Sequence, residues 1–348
     1  MLVTGAGAST AFGSNRRPLP LMAQWSDLIV KKLFDSGVDA HDLSGLKPGM
    51  TGQDFEAALG LFLRRSEAFE QIRDLIPLTS RVPGVSGPQT QTWYDNVAST
   101  FERVTEIIHS SLMEEFHYNR LAVSDAKEAY GRLLQMAGLP RGQRLVYATT
   151  NYDALGELAL LELGARVDTG EPSRLYGGNA MGLDVAGLLE GMGRSTPVLH
   201  LHGKAGWYRN KNGLVEVRDV QQHHPSNGTP VVMLPDPAKS YSGNDVLALL
   251  WAQFEEAVNN AQKVLVLGHS LHDDQLMRVL KGMPDRKKLA ITFWAATESE
   301  AAVQLAWLQD QLTRDPSYFA VRFAAKLDPL EWQHLEAWLS SGQRPPTK

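Results

Sequence analysis

The residues of this chain whose types and spacing suit chemistry lie in four short stretches. In Leu145-Val146-Tyr147-Ala148-Thr149-Thr150-Asn151-Tyr152-Asp153 an apolar run ends in Asn151, whose amide can hold a water or a hydroxyl without ionising. Asp153, two positions on, suits either the cap of the following helix or a ligand. In Leu199-His200-Leu201-His202-Gly203 the second histidine closes a strand. With an ordinary pKa of about 6.5, an imidazole there is suited to general-base work. His-x-His is also a metal-ligand pattern. The available third ligands, His269, His272, Asp273 and Asp274, match no metal-binding spacing, so His202 is read as the base and His200 as a packed structural histidine. Gly5-Ala6-Gly7-Ala8-Ser9 is a turn of small residues that lets backbone N–H groups approach a pyrophosphate. Gly268-His269-Ser270 offers close backbone access and a hydroxyl, both suited to a ribose or a phosphate.

Each stretch needs an element to position it. The apolar runs before Asn151, His202 and Gly268 read as buried parallel strands, and Leu2-Val3-Thr4 as a short one. Helical patterns follow from Ala154 and from Asp273. In an open α/β sheet, ligands bind outside the carboxyl ends of the strands, where all four turns fall. Asp273 and Asp274 have two readings, capping with first-turn dipole complementation or ligand contact. Alternation places His200 and His202 on one strand face. Ala165–Val167 reads as a short strand and Leu289–Ala295 as the last sheet strand, followed by a helix over Glu298–Leu312, a strand over Tyr318–Ala325 and a helix over Pro329–Leu339.

Between the first and second strands, residues 20–140 read as a mostly helical insertion, with helices over Leu21–Phe34, Asp54–Ile76, 92–117 and 124–137. Its Asp54, Glu56, His109 and His117 are expected at the surface or core edge. Arg16 and Arg17 sit in a polar loop and are suited to phosphates or to solvent. Asn210-Lys211-Asn212-Gly213 predicts a hairpin turn, His223-His224 an exposed loop, and 341–348 a disordered tail. Only Leu2–Thr4 precede the first glycine turn, so either that strand is short or the native chain begins upstream.

The chain has 348 residues, 43% hydrophobic and 21% charged, which suits a soluble globular domain with a large core. A net charge of −5 without blocks of like charge points away from nucleic acid and anionic membranes as partners. No cysteine is present, which rules out disulfides, thiolate catalysis and cysteine-ligated zinc in this sequence and fits a cytoplasmic setting. No run of about 20 apolar residues and no signal-peptide pattern is found. The glycine turn departs from a dehydrogenase fingerprint. Position 10 is Thr, and no strand ending in an acidic residue follows about 20 residues on.

Taken in order, Gly5-Ala6-Gly7-Ala8-Ser9, Thr149-Thr150-Asn151-Tyr152-Asp153, His202-Gly203 and Gly268-His269-Ser270 resemble the sirtuin fold family. The expected fold is therefore α/β, a Rossmann-like parallel sheet of sirtuin type over residues 1–340, with the helical insertion in place of the zinc module. Two departures matter. The zinc-binding cysteines of protein-deacylating sirtuins are missing, and Thr150 replaces the usual glutamine. The chain is thus more similar to the sirtuin-like NAD-consuming proteins of bacterial anti-phage defence, which hydrolyse NAD to ADP-ribose and nicotinamide.

What the resemblance implies is an NAD hydrolase with NAD as substrate and no metal. Asn151 would position the attacking water or the ribose, and His202 would act as base. Gly5, Ala6, Gly7 and Ser9 would cradle the phosphates, with Thr149 in the NAD-contacting set. Asp153 would anchor the nicotinamide end, and Gly268 with Ser270 the adenosine ribose. Oligomerisation, or a partner such as a HerA-type ATPase or an Argonaute-like protein, is expected to restrain a toxic activity. The alternatives are an NAD-dependent protein deacylase and a non-catalytic sensor of NAD or ADP-ribose. A nicotinamide-dependent oxidoreductase comes last.

Overall fold

The computed structural model describes residues 1–6, 8, 22–38, 45–73, 87–117, 131, 134, 145–171, 182–218, 223–234, 244–285, 288–294, 297–312, 319–323 and 329–341. The strands are β1 (Leu2–Thr4), β2 (Tyr147–Thr149), β3 (Val167–Asp168), β4 (Thr196–His200), β5 (Gly203–Arg209), β6 (Val215–Val217), β7 (Thr229–Val232), β8 (Val264–Leu267), β9 (Leu289–Trp294) and β10 (Phe319–Phe323). The helices are α1 (Met22–Asp35), α2 (Gly52–Arg73), α3 (Gly87–Phe116), α4 (Leu155–Glu162), α5 (Asp245–Asn260), α6 (Asp274–Lys281), α7 (Glu298–Gln311) and α8 (Pro329–Ser341).

The main sheet runs β10-β9-β8-β1-β2-β4-β3, and every pairing in it is parallel. Its strands follow a period of two because side chains alternate between faces. Val3, Val146, Ala148, Leu199, Val264 and Val266 pack on one side with α5, α6 and α7. Leu2, Tyr147, Val198, Leu265 and Leu267 pack on the other with α4 and α8. Both faces are covered, which explains why these strands read as continuous apolar runs.

β1 sits between β2 and β8, with Val3 opposite both Ala148 and Val266. The chain moves outward from β1 through β2 to the edge strand β3, steps back in to β4, crosses to β8 on the other side of β1, and continues outward to β9 and β10. The order reverses between β1 and β8, so a ligand crevice is expected outside their carboxyl ends.

Two strand expectations are corrected. Leu289–Ala295 is not the last strand of the sheet, because β10 pairs in parallel along it from Phe319 opposite Ala290 to Phe323 opposite Trp294. The short strand expected at 165–167 forms instead at Val167–Asp168, where it registers with Thr196–Pro197.

A second, antiparallel sheet has the order β6-β5-β7. Its β5–β6 hairpin turns where expected, with Asn210 Oδ1 accepting from the N–H groups of Asn212 and Leu214. Helices α1, α2 and α3 pack on this sheet around Trp25, Ile29, Phe55, Phe62, Ile108 and Met113, and Tyr152, Ala205 and Tyr208 join that core. Two histidines differ from expectation as a result. His117 is fully buried, because the end of α3 lies beneath Gly206 of β5. His223 is half-buried, its ring stacked on Tyr208 and edge-on to His109. His224 is exposed. The helix expected at 124–137 lies almost wholly outside the described residues, as do Arg16, Arg17 and 342–348; Ser341 ends α8.

Candidate functional site at the carboxyl edge

The turns after β1 and β8 lock together first. Gly5 N–H donates to the Leu267 carbonyl at 3.0 Å. A Cβ on Gly5 would stand 2.8 Å from the His269 Cα and 3.0 Å from the Gly268 carbonyl oxygen, so only glycine lets the two turns pass this closely. Ala6 is exposed and begins a helical turn in which Ala8 N–H donates to Gly5 O at 2.9 Å. Gly7 and Ser9 lie outside the described residues.

The turn after β2 is tied to the same point. Thr150 N–H donates to Thr4 O at 3.1 Å, and Thr149 Oγ1 accepts from Asn151 N–H at 3.0 Å. The buried Asn151 amide donates to Gly5 O at 3.3 Å. Thr149 therefore shapes the turn, and the end of β1 orients the Asn151 side chain.

β4 ends at His200, so the two histidines do not share a strand face. Leu201 N–H donates to Thr149 O at 2.8 Å, and the chain then turns His202 away from the strand. His202 Nε2 lies 2.8 Å from Asp273 Oδ2. His200 is fully buried, 3.3 Å from Glu157 and edge-on to Trp207. That is the structural role expected of it.

Asp153 lies two residues before α4, its Oδ1 accepting from Leu155 N–H at 2.8 Å. Burial pushes its carboxyl up to about 6. Beside it lies a buried ionic group that sequence reasoning missed. Lys204 donates to Glu157 at 2.8 Å and to Glu171 at 2.7 Å, and the Trp207 indole donates to Glu171 at 2.8 Å. Burial raises Glu157, but the charge of Lys204 and the hydrogen bond from His200 outweigh it and bring the carboxyl down to about 2. Burial opposes the Lys204 charge, yet its two carboxylates keep its pKa above the usual value.

After β8, Gly268 (φ +57°) and Leu271 (φ +61°) both adopt left-handed backbone. This is uncommon for leucine and marks local strain. Gly268 N–H is held by Thr292 Oγ1 at 3.1 Å, and Leu271 N–H by His269 Nδ1 at 2.8 Å. Ser270 is exposed. Asp273 takes the capping role, its Oδ1 accepting from Leu276 N–H at 2.9 Å while Oδ2 meets His202.

The helical region reaches the same edge. Gln53 Nε2 lies 2.9 Å from His272 Nε2. The charges of Glu56 and Asp273, after burial itself, push the Tyr152 phenol far above its usual pKa, so it stays neutral. No signal in the sequence marked the pairing of Asp273 with His202; Asp273 had two readings, helix cap or ligand contact, and Glu56 was expected at the surface or core edge.

Of the residues predicted from sequence, Gly5, Thr149, Asn151, His202 and Gly268 come together at the carboxyl edge around β1. Asp153 is turned into the start of α4, and Ala6 and Ser270 are at the exposed rim. Among the described residues, no group of three His, Cys, Asp or Glu side chains is placed to hold a metal ion, and no helix is long and apolar enough to cross a membrane. No protein-family model matches the chain, and no curated protein matches it in sequence.

Proposed function

We propose that this protein is a sirtuin-type NAD hydrolase, cleaving NAD to ADP-ribose and nicotinamide. One observation carries the reading. The four stretches on which the sirtuin resemblance rests close four neighbouring strands, β8-β1-β2-β4, and their turns interlock at one edge beside the switch point. Ligands of open α/β sheets bind at such a point.

In this reading the nicotinamide–ribose bond breaks with its electron pair going to the ring nitrogen, so nicotinamide leaves neutral. Water adds to the ribose carbon, and its proton passes to His202. The Asn151 amide orients that water, itself held by Gly5 O. Gly5, Ala6, Gly7 and Ser9 serve the diphosphate, Gly268 and Ser270 the adenosine ribose, and Asp153 the nicotinamide end, with Thr149 in the NAD-contacting set. No step requires a metal.

The test is nicotinamide and ADP-ribose production from NAD without any peptide, for the wild type, Asn151→Ala and His202→Ala. Turnover lost in both variants is expected; a general base typically contributes about 10²–10⁴-fold. Nicotinamide release only on adding an acetylated peptide would instead indicate a deacylase. NAD binding without turnover would indicate a sensor.

A cell needs such an activity restrained, and we place that restraint in self-association or a defence partner. The helices carry exposed apolar side chains suited to contact, among them Phe34 and Trp93. A fully active monomer in sedimentation would refute this part.

A further inference from the structure

We infer that Asp273 is a positioning residue of the site, holding His202 in one orientation and one tautomer and supplying the negative charge that favours its protonated form. The inference rests on the reading of His202 as the base. Asp273 is buried, and burial alone favours a neutral carboxyl. Two features oppose that. Its Oδ1 accepts the Leu276 N–H at 2.9 Å, and it caps α6, whose N-terminal end carries partial positive charge. Both favour the ionised carboxylate, whose Oδ2 lies 2.8 Å from His202 Nε2. An ionised carboxylate only accepts, so Nε2 carries the proton and Nδ1 becomes the accepting nitrogen of the neutral ring.

Two ring neighbours of His202 carry no charge. The Tyr152 ring, at 6.5 Å, stays neutral, and the Trp251 ring of α5, at 6.3 Å, does not titrate. Glu56 of α2 acts on Tyr152. His272 is turned toward Gln53 and Trp307.

The two tasks of Asp273 can be separated, because asparagine caps a helix about as well as aspartate but carries no charge. NMR titration of the His202 imidazole, without NAD, is expected to show its midpoint about 1 pH unit lower or more in Asp273→Asn. The acid limb of the rate profile moves the same way, and kcat falls roughly 100-fold with little change in KM. Asp274→Asn, at the exposed neighbouring position, leaves all three unchanged. An unshifted His202 titration in folded Asp273→Asn overturns the inference. Should that variant not fold, the wild type decides by the nitrogen shifts of neutral His202. The Nε2–H tautomer supports the inference, and the Nδ1–H tautomer overturns it. Absence of NAD turnover in the wild type counts against NAD hydrolysis alone, because the titration and tautomer judge Asp273 in either case.

Discussion

The Tyr152 hydroxyl donates to the Met233 carbonyl at 2.5 Å, joining the turn that carries Asn151 to the end of the small sheet. Met233 N–H in turn donates to His202 O at 2.8 Å, and Ala205 N–H to Tyr152 O at 3.0 Å. The Tyr152 ring also lies against Trp25 of α1 and Phe116 of α3. One residue thus links the Asn151 turn, the His202 turn and the helical region.

Tyr152→Phe keeps the ring and removes the donor. Leaving a buried carbonyl without its partner costs about 1–3 kcal/mol. A lower Tm is expected. Under the proposed function kcat falls more than KM changes, because the spacing of the two turns slackens. Thermal melts and steady-state kinetics check this.

Gly5→Ala places a methyl against backbone atoms of the β8 turn, which cannot rotate out of the way. Overpacking of this kind costs roughly 1–3 kcal/mol, and the backbone contact puts it at the upper end. Denaturant unfolding followed by circular dichroism should show the loss. Wild-type stability in this variant would mean that the two turns are looser than described.

Lys204→Met removes a buried cation from two carboxylates. Breaking a buried ionic group by deleting one partner costs about 3–5 kcal/mol. The triple change Lys204→Met, Glu157→Gln and Glu171→Gln should recover much of that, because no charge is then left unpaired. Comparing the unfolding midpoints of the two variants tests the point.

Asp153 gives a pH dependence whose sign can be fixed. Its carboxyl lies at about 6 in the folded protein against an ordinary 3.8. The folded state therefore favours the neutral form. The contribution to stability is full below the ordinary value and is lost as pH rises through about 6. Asp153→Asn is expected to flatten this slope and to raise stability at pH 7 by roughly 3 kcal/mol. Asparagine can still accept the Leu155 N–H. Urea unfolding at pH 4 and pH 7 checks both statements. Glu157 acts oppositely. Its carboxyl is held down to about 2, so its contribution is present above the ordinary carboxylate range and is lost only as pH falls through about 2.

The α/β class, the parallel strands and the turns that end them were legible in the sequence. Buried strands write their two-sided burial as apolar runs, and a glycine at Gly5 or Gly268 marks where two backbones pass closely. These are local signals, carried by residues a few positions apart. The strand β10 was legible at Tyr318–Ala325, but its place beside β9 was not, because that pairing depends on a crossover that no local pattern encodes. His202 and Asp273 are 71 residues apart, and Gln53 and His272 are 219 apart. Sequence placed His202 at the close of a strand and Asp273 at the start of a helix. Only the tertiary structure decided which of them meet, because the strand order and the reach of each turn across the sheet edge set those distances. The buried group of Glu157, Glu171 and Lys204 was hidden for the same reason. Each residue alone reads as a surface charge, and only the approach of α4 and of the segment after β3 to the buried Lys204 of β5 brings them together.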